Sequence, residues 1–135
     1  MLDKEKVQEA LNKNFNNLDY LVIVSYPKKS KDVEIKKEYV LKEIEAYIGS
    51  VEKMLEIFSY EKQKLKYFYT IAEFDKIFVA RIVIERYLDE DKMNGIFEWM
   101  KVRKIRELKN LAGYLLKDGI KDMKYSKGFF KGINI

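Results

Sequence analysis

A single proline, Pro27, and six glycines punctuate this chain of 135 residues. So few breakers favour a small number of long, uninterrupted elements. With 36% of residues charged, that punctuation suits a helical protein. The chain is 47% hydrophobic and carries ten Tyr and eight Phe, enough to build one packed core. No repeat, linker or low-complexity stretch divides it, so 1–135 reads as a single domain.

Local signals predict the elements. Asp3 caps a helix over 4–14, with Val7, Leu11 and Phe15 as its apolar stripe. Asn14, Asn16, Asn17 and Asp19 mark a break. Residues 20–26 are β-branched and aromatic and stop at Pro27, which reads as a short strand. Leu18, Leu21, Val22 and Ser25 also keep a helical spacing, so a continuing helix competes with it. After a polar loop, Asp32 predicts a helix over 33–48 with Ile35, Tyr39, Leu41 and Ile44 inward. Gly49 then ends that helix, and Ser50 caps a third carrying Met54, Leu55, Phe58, Leu65 and Phe68.

Thr70-Ile71-Ala72-Glu73 has the form of a capping box and predicts a fourth helix over 71–88, with Ile71, Phe74, Phe78, Ile82 and Glu85 on one stripe. Its centre, 77–84, is apolar on every side and equally fits a buried strand. Asp89-Glu90-Asp91 predicts the cap of a fifth helix over 92–106, and Asn110 that of a sixth over 111–118, stopped by Gly119. Residues 127–135 form either a short strand or an unanchored end. The expected fold is mainly α: a compact multi-helix domain with one or two short strands, or a winged-helix variant of it.

The absences narrow the chemistry. There is no Cys, hence no disulfide, thiol nucleophile or zinc knuckle, and no His, the commonest general base and transition-metal ligand. The remaining carboxylates, Lys, Tyr, Ser and Arg show no spacing that supports catalysis, so a non-enzyme without cofactor, metal or small-molecule substrate is expected. Asp89-Glu90-Asp91 reads as a helix cap rather than a Mg²⁺ site, and Arg81 with Glu85 as a partly buried ion pair. Phe97, Trp99 and Met100 read as core; Tyr60, Tyr67 and Tyr69 suit an interface. The N-terminus turns charged at Asp3-Lys4-Glu5, and no apolar run approaches the length of a membrane span, so a cytoplasmic protein without signal peptide or membrane contact is expected.

Charge is concentrated at one end. Residues 101–135 hold ten basic and three acidic side chains, a net +7 against +5 for the whole chain. Such asymmetry points to an anionic partner, most often nucleic acid. The candidate binding residues are Lys101, Arg103, Lys104, Arg106, Lys109, Lys117, Lys121 and Lys124. On the predicted fifth helix, Lys101 and Lys104 share a surface with Lys109 across the turn, and Arg103 and Arg106 lie beside them. A basic helix, a capped break and a short amphipathic helix together have the form of a helix-turn-helix.

The stretch Leu108-Lys109-Asn110-Leu111-Ala112-Gly113-Tyr114-Leu115-Leu116-Lys117 resembles the I-K-N-P-A-G-Y-L motif of replication initiator proteins from plasmids, phages and chromosomes of low-GC bacteria. Asn110, Gly113, Tyr114 and Leu115 fall on the motif; Leu111 stands where the family usually has proline, and Asp118 and Gly119 replace small apolar residues. The resemblance spans residues 97–121. It implies a winged-helix fold that binds origin DNA. The expected function is therefore double-stranded DNA binding in a mobile-element setting (replication, partition, transfer or transcriptional control). Phosphates would be anchored by the basic helix pair of a homodimer. The competing expectation is a helical protein-interaction module or assembly subunit whose basic end docks on an acidic partner.

Overall fold

The two runs with ambiguous periodicity, 20–26 and 77–84, are both strands, and they pair at the centre of the molecule. The computed structural model describes residues 3–59, 64–86, 89–96 and 101–133. In chain order the elements are α1 (Lys4–Asn14), β1 (Tyr20–Pro27), β2 (Lys29–Ser30), β3 (Val33–Glu34), α2 (Lys37–Ser59), β4 (Tyr67–Glu73), β5 (Ile77–Ile84), α3 (Glu90–Ile96), β6 (Lys101–Lys104), a 3-10 turn (Leu108–Asn110), α4 (Leu111–Leu115) and β7 (Ile120–Tyr125). Five strands form one sheet in the order β6-β1-β5-β4-β7, every neighbouring pair antiparallel. The second sheet is the small β2–β3 hairpin.

Helices lie on both faces of the large sheet. On one face α2 and α3 cover Tyr20, Val22 and Val24 of β1, Ala80, Ile82 and Ile84 of β5, Tyr69 and Ile71 of β4, and Val102 of β6. On the other, α1, α4 and the C-terminal turns cover Phe68 and Val83 through Leu11, Leu115 and Phe129. This explains why β5 reads as apolar on every side: it is the central strand, buried from above and below, as a covered strand must be.

The architecture is thus α+β with a five-stranded antiparallel sheet, neither the mainly α domain expected nor a winged-helix variant. The scarcity of Pro and Gly misleads because two hairpin turns here use neither. Lys31 and Asp32, both at positive φ (47° and 68°), turn β2 into β3, the backbone a two-residue hairpin needs. Asp75 and Lys76 turn β4 into β5, closed by the Phe74 N–H donating to the Ile77 carbonyl at 2.9 Å. Asp32 therefore serves a turn and not a helix cap.

Three predicted boundaries fall to packing. Helix α2 runs unbroken through Gly49 and Ser50, because Val40, Ile44, Tyr47, Ile48, Val51 and Leu55 keep one buried stripe across them. That burial outweighs the roughly 1 kcal/mol that a mid-helix Gly costs. Thr70 to Glu73 belong to β4 and form no capping box; the Thr70 hydroxyl donates to the Leu115 carbonyl at 2.7 Å and ties α4 to the sheet. The predicted fifth helix is replaced by the short α3 and the strand β6. Its cap stands: Asp89 Oδ1 accepts from the Lys92 N–H at 2.9 Å.

Helix α1 matches its predicted bounds, and Asp3 Oδ1 accepts from the Lys6 N–H at 2.9 Å. Tyr60, Phe97, Trp99 and Met100 lie outside the described residues. The described tail, residues 127–133, is neither strand nor loose. Phe129 is buried, its ring 4.9 Å from that of Phe68, and its carbonyl accepts from Asn14 Nδ2 at 2.8 Å. Among the described residues, no helix is long and apolar enough to cross a membrane.

Candidate functional site

The predicted basic residues do not form one surface. Lys101, Arg103 and Lys104 stand on β6 at one edge of the sheet; Lys121 and Lys124 stand on β7 at the opposite edge. Four strand spacings, about 19 Å, separate the two edges. No helix-turn-helix exists at 101–118, because the segment expected as its first helix is β6 and α4 has only five residues. Three of those five, Leu111, Ala112 and Leu115, face the core.

Helix α4 is not capped by the Asn110 side chain. Gln8 of α1 reaches across instead: its Oε1 accepts from the Ala112 N–H at 2.8 Å, and its Nε2 donates to the Leu108 carbonyl. Lys109 lies on this side, in a small hollow with Lys4, Glu5 and Gln8. Lys121 lines a larger hollow of about 650 Å³ together with Asp3, Lys4 and Asp122. Its mixed charges and the Lys37–Asp122 ion pair at 3.7 Å beside it give no net pull on an anion.

Two arginines of the basic end, Arg103 and Arg106, line one groove. A groove of about 360 Å³ runs between β6 and α4, lined by Leu21, Ile23 and Leu111 and rimmed by Arg103, Lys104, Arg106, Asn110 and Tyr114. Glu107 is the one acid among its described lining residues. Arg103 pairs with Leu21, and Lys101 with Ile23, so these four side chains share the α4 face of the sheet. The segment beyond β6 is held by Asp19. Its backbone carbonyl accepts from the Ile105 N–H at 3.0 Å, and its carboxylate accepts from the Asn16 and Arg86 N–H groups, each at 2.8 Å. That anchor fixes the rim where Arg106 is exposed. Lys117 lies beyond Tyr114, its Nζ 4.7 Å from the ring centre.

One residue of this region was misread from sequence. Arg81 makes no pair with Glu85: on a strand, residues four apart are separated by roughly 13 Å. Glu85 Oε1 instead accepts from the Lys66 N–H at 3.1 Å. Arg81 is only 5% exposed, and its Nε and Nη1 are buried without a hydrogen-bond partner. Its guanidinium sits 5.2 Å from the centre of the Tyr114 ring. A desolvated cation–π contact offsets about 2 kcal/mol, whereas an unpaired buried charge costs several. The signal available in the sequence was a lone Arg within a run apolar on both faces; Tyr114, expected as plain core, is its half-buried neighbour.

No protein-family model, curated protein or solved structure matches this chain.

Proposed function

We propose that the protein binds nucleic acid, and that it takes a single strand along the groove between β6 and α4. The observation that carries this reading is the pairing of two arginines, Arg103 and Arg106, with an apolar floor, with Tyr114 at its side and one acid among the described lining residues. Apolar and aromatic surface receives bases while cations track the phosphates, the combination that single-strand sites use. The groove's volume is that of a site for one small planar group. A duplex keeps its bases stacked inside and would meet only the rim, and α4 is too short and too buried to enter a major groove.

Fluorescence anisotropy with a labelled oligothymidylate and with a duplex of equal length, each across a salt series, tests the proposal. The single strand is expected to bind more tightly. Replacing Arg103 and Arg106 together by Ala should lower its affinity and flatten the salt slope by about 1.4, at roughly 0.7 per lost phosphate contact. Replacing Lys121 and Lys124 on the far edge should change little. Equal loss from both edges, preference for the duplex, or no binding at low salt overturns the proposal.

A further inference from the structure

Arg81 stands on the central strand, one strand from the groove floor. Its register partners on the α4 face are Ile23 of β1, which lines the groove, and Thr70 of β4. Along the same face of β1, β5 and β4 lie Leu21, Ser25, Val79, Val83, Phe68 and Ala72, none of them acidic. The Thr70 hydroxyl proton is committed to the Leu115 carbonyl. Tyr114 offers Arg81 the face of a ring, but that contact leaves the in-plane N–H donors unmet. The sheet therefore holds a buried guanidinium, permanently charged, with Nε and Nη1 lacking an acceptor.

The surrounding charge indicates what completes it. Lys101 is in the same cross-strand row, two strands away through Ile23, about 10 Å by strand spacing. Arg103 is the next row's member on β6, and Lys117 meets the same Tyr114 ring as Arg81. A carboxylate would neutralise one cation; a cluster of this size suits a group with more charge and several acceptor oxygens. We infer that Arg81 is the seat of a phosphoryl group, that of a nucleotide whose remainder lies past Tyr114 on the groove floor. The inference deepens the nucleic-acid reading and rests on it for the identity of the ligand.

Inorganic phosphate and oligothymidylate are the two probes, with chloride at equal ionic strength as the control. Phosphate should raise the Tm of the wild-type protein saturably and leave that of Arg81→Met unchanged, because a ligand stabilises only the state that binds it. Arg81→Met should itself melt no lower than wild type, since it removes an unpaired buried charge at similar volume. Its affinity for oligothymidylate should fall about tenfold or more, the worth of one charge-assisted hydrogen bond. Isotope-labelled wild-type protein gives a reading independent of any variant: the Arg81 Nε–H resonance should move on phosphate titration.

A phosphate effect equal in both proteins, or an Arg81 signal that stays in place, overturns the inference. Oligothymidylate bound equally by wild type and Arg81→Met overturns it while leaving the nucleic-acid reading intact. An Arg81-dependent phosphate effect without oligothymidylate binding supports the anion seat, removes the nucleic-acid reading, and makes a small phosphorylated molecule the source.

Discussion

The two faces of the sheet are built to different standards. Under α2, a helix of 23 residues, the face is closed from Tyr20 to Tyr26 along β1 and from Phe78 to Ile84 along β5, every inward residue buried. The opposite face is covered piecemeal by α1, α4 and the C-terminal turns. There the cover stops short: Leu21, Ile23 and Val79 are half-buried and Ser25 is exposed. The closed face carries no charge at its centre, while the open one carries Arg81. The difference separates a face closed by packing from one whose cover leaves a groove and a buried, unpaired charge.

The largest test of this contrast uses one residue type on both faces. Ile82 on the α2 side is fully buried, so Ile82→Ala should cost 2–5 kcal/mol, about the usual range for such a truncation. Ile23 lies on the open side, and Ile23→Ala should cost about 1 kcal/mol. Urea unfolding at constant m-value reads both. Equal costs would show that the open face is core like the other. A smaller effect is expected at Gly119, which joins α4 to β7 and closes the part of the open side that lies over β4. Its φ is +77°, and a Cβ there would sit 2.8 Å from the Glu73 carbonyl oxygen. Gly119→Ala should therefore cost about 1–3 kcal/mol. Because the strain falls at the far edge, oligothymidylate affinity at low temperature should hold; a large loss would show that the two sides of α4 move together.

The first two elements were legible, and the reasons are local. Asp3 and the Val7, Leu11, Phe15 stripe fix α1 because cap and period agree. The β-branched run before Pro27 gives β1. The errors fall where a long-range partner decides. Thr70-Ile71-Ala72-Glu73 has the spacing of a cap, but pairing with β5 and β7 makes it a strand. Gly49-Ser50 looks like a boundary until the sheet beneath α2 supplies the burial that carries the helix through. The basic end was legible as composition and misread as shape. Lys101 to Lys104 alternate with buried Val102 at period two, too short a run to outvote a helical reading of its surroundings. The groove between β6 and α4 was invisible, since its floor residues Leu21 and Ile23 come from β1, some 80 positions earlier in the chain than β6.

The smallest expected effect is a pH dependence that the two faces should not share. At the end of the α2 face, Lys28 Nζ donates to Glu73 Oε2 at 2.7 Å and lies 5.3 Å from the centre of the Phe78 ring. The hydrogen bond from Lys28 holds the Glu73 carboxyl below its ordinary value of 4.5, with the positive charge of Lys28, Lys121 and Lys37 acting the same way. A carboxyl whose pKa is depressed on folding contributes stability that is complete above 4.5 and is lost as pH falls through the lower folded value. Lys28→Met should remove that component, so the variant's Tm falls less steeply with acid than the wild type's. Arg81→Met should leave the acid slope untouched, because among the described residues no carboxylate is paired with that guanidinium. An acid slope altered by Arg81→Met would reveal an acidic partner and close the gap that the phosphoryl group is inferred to fill.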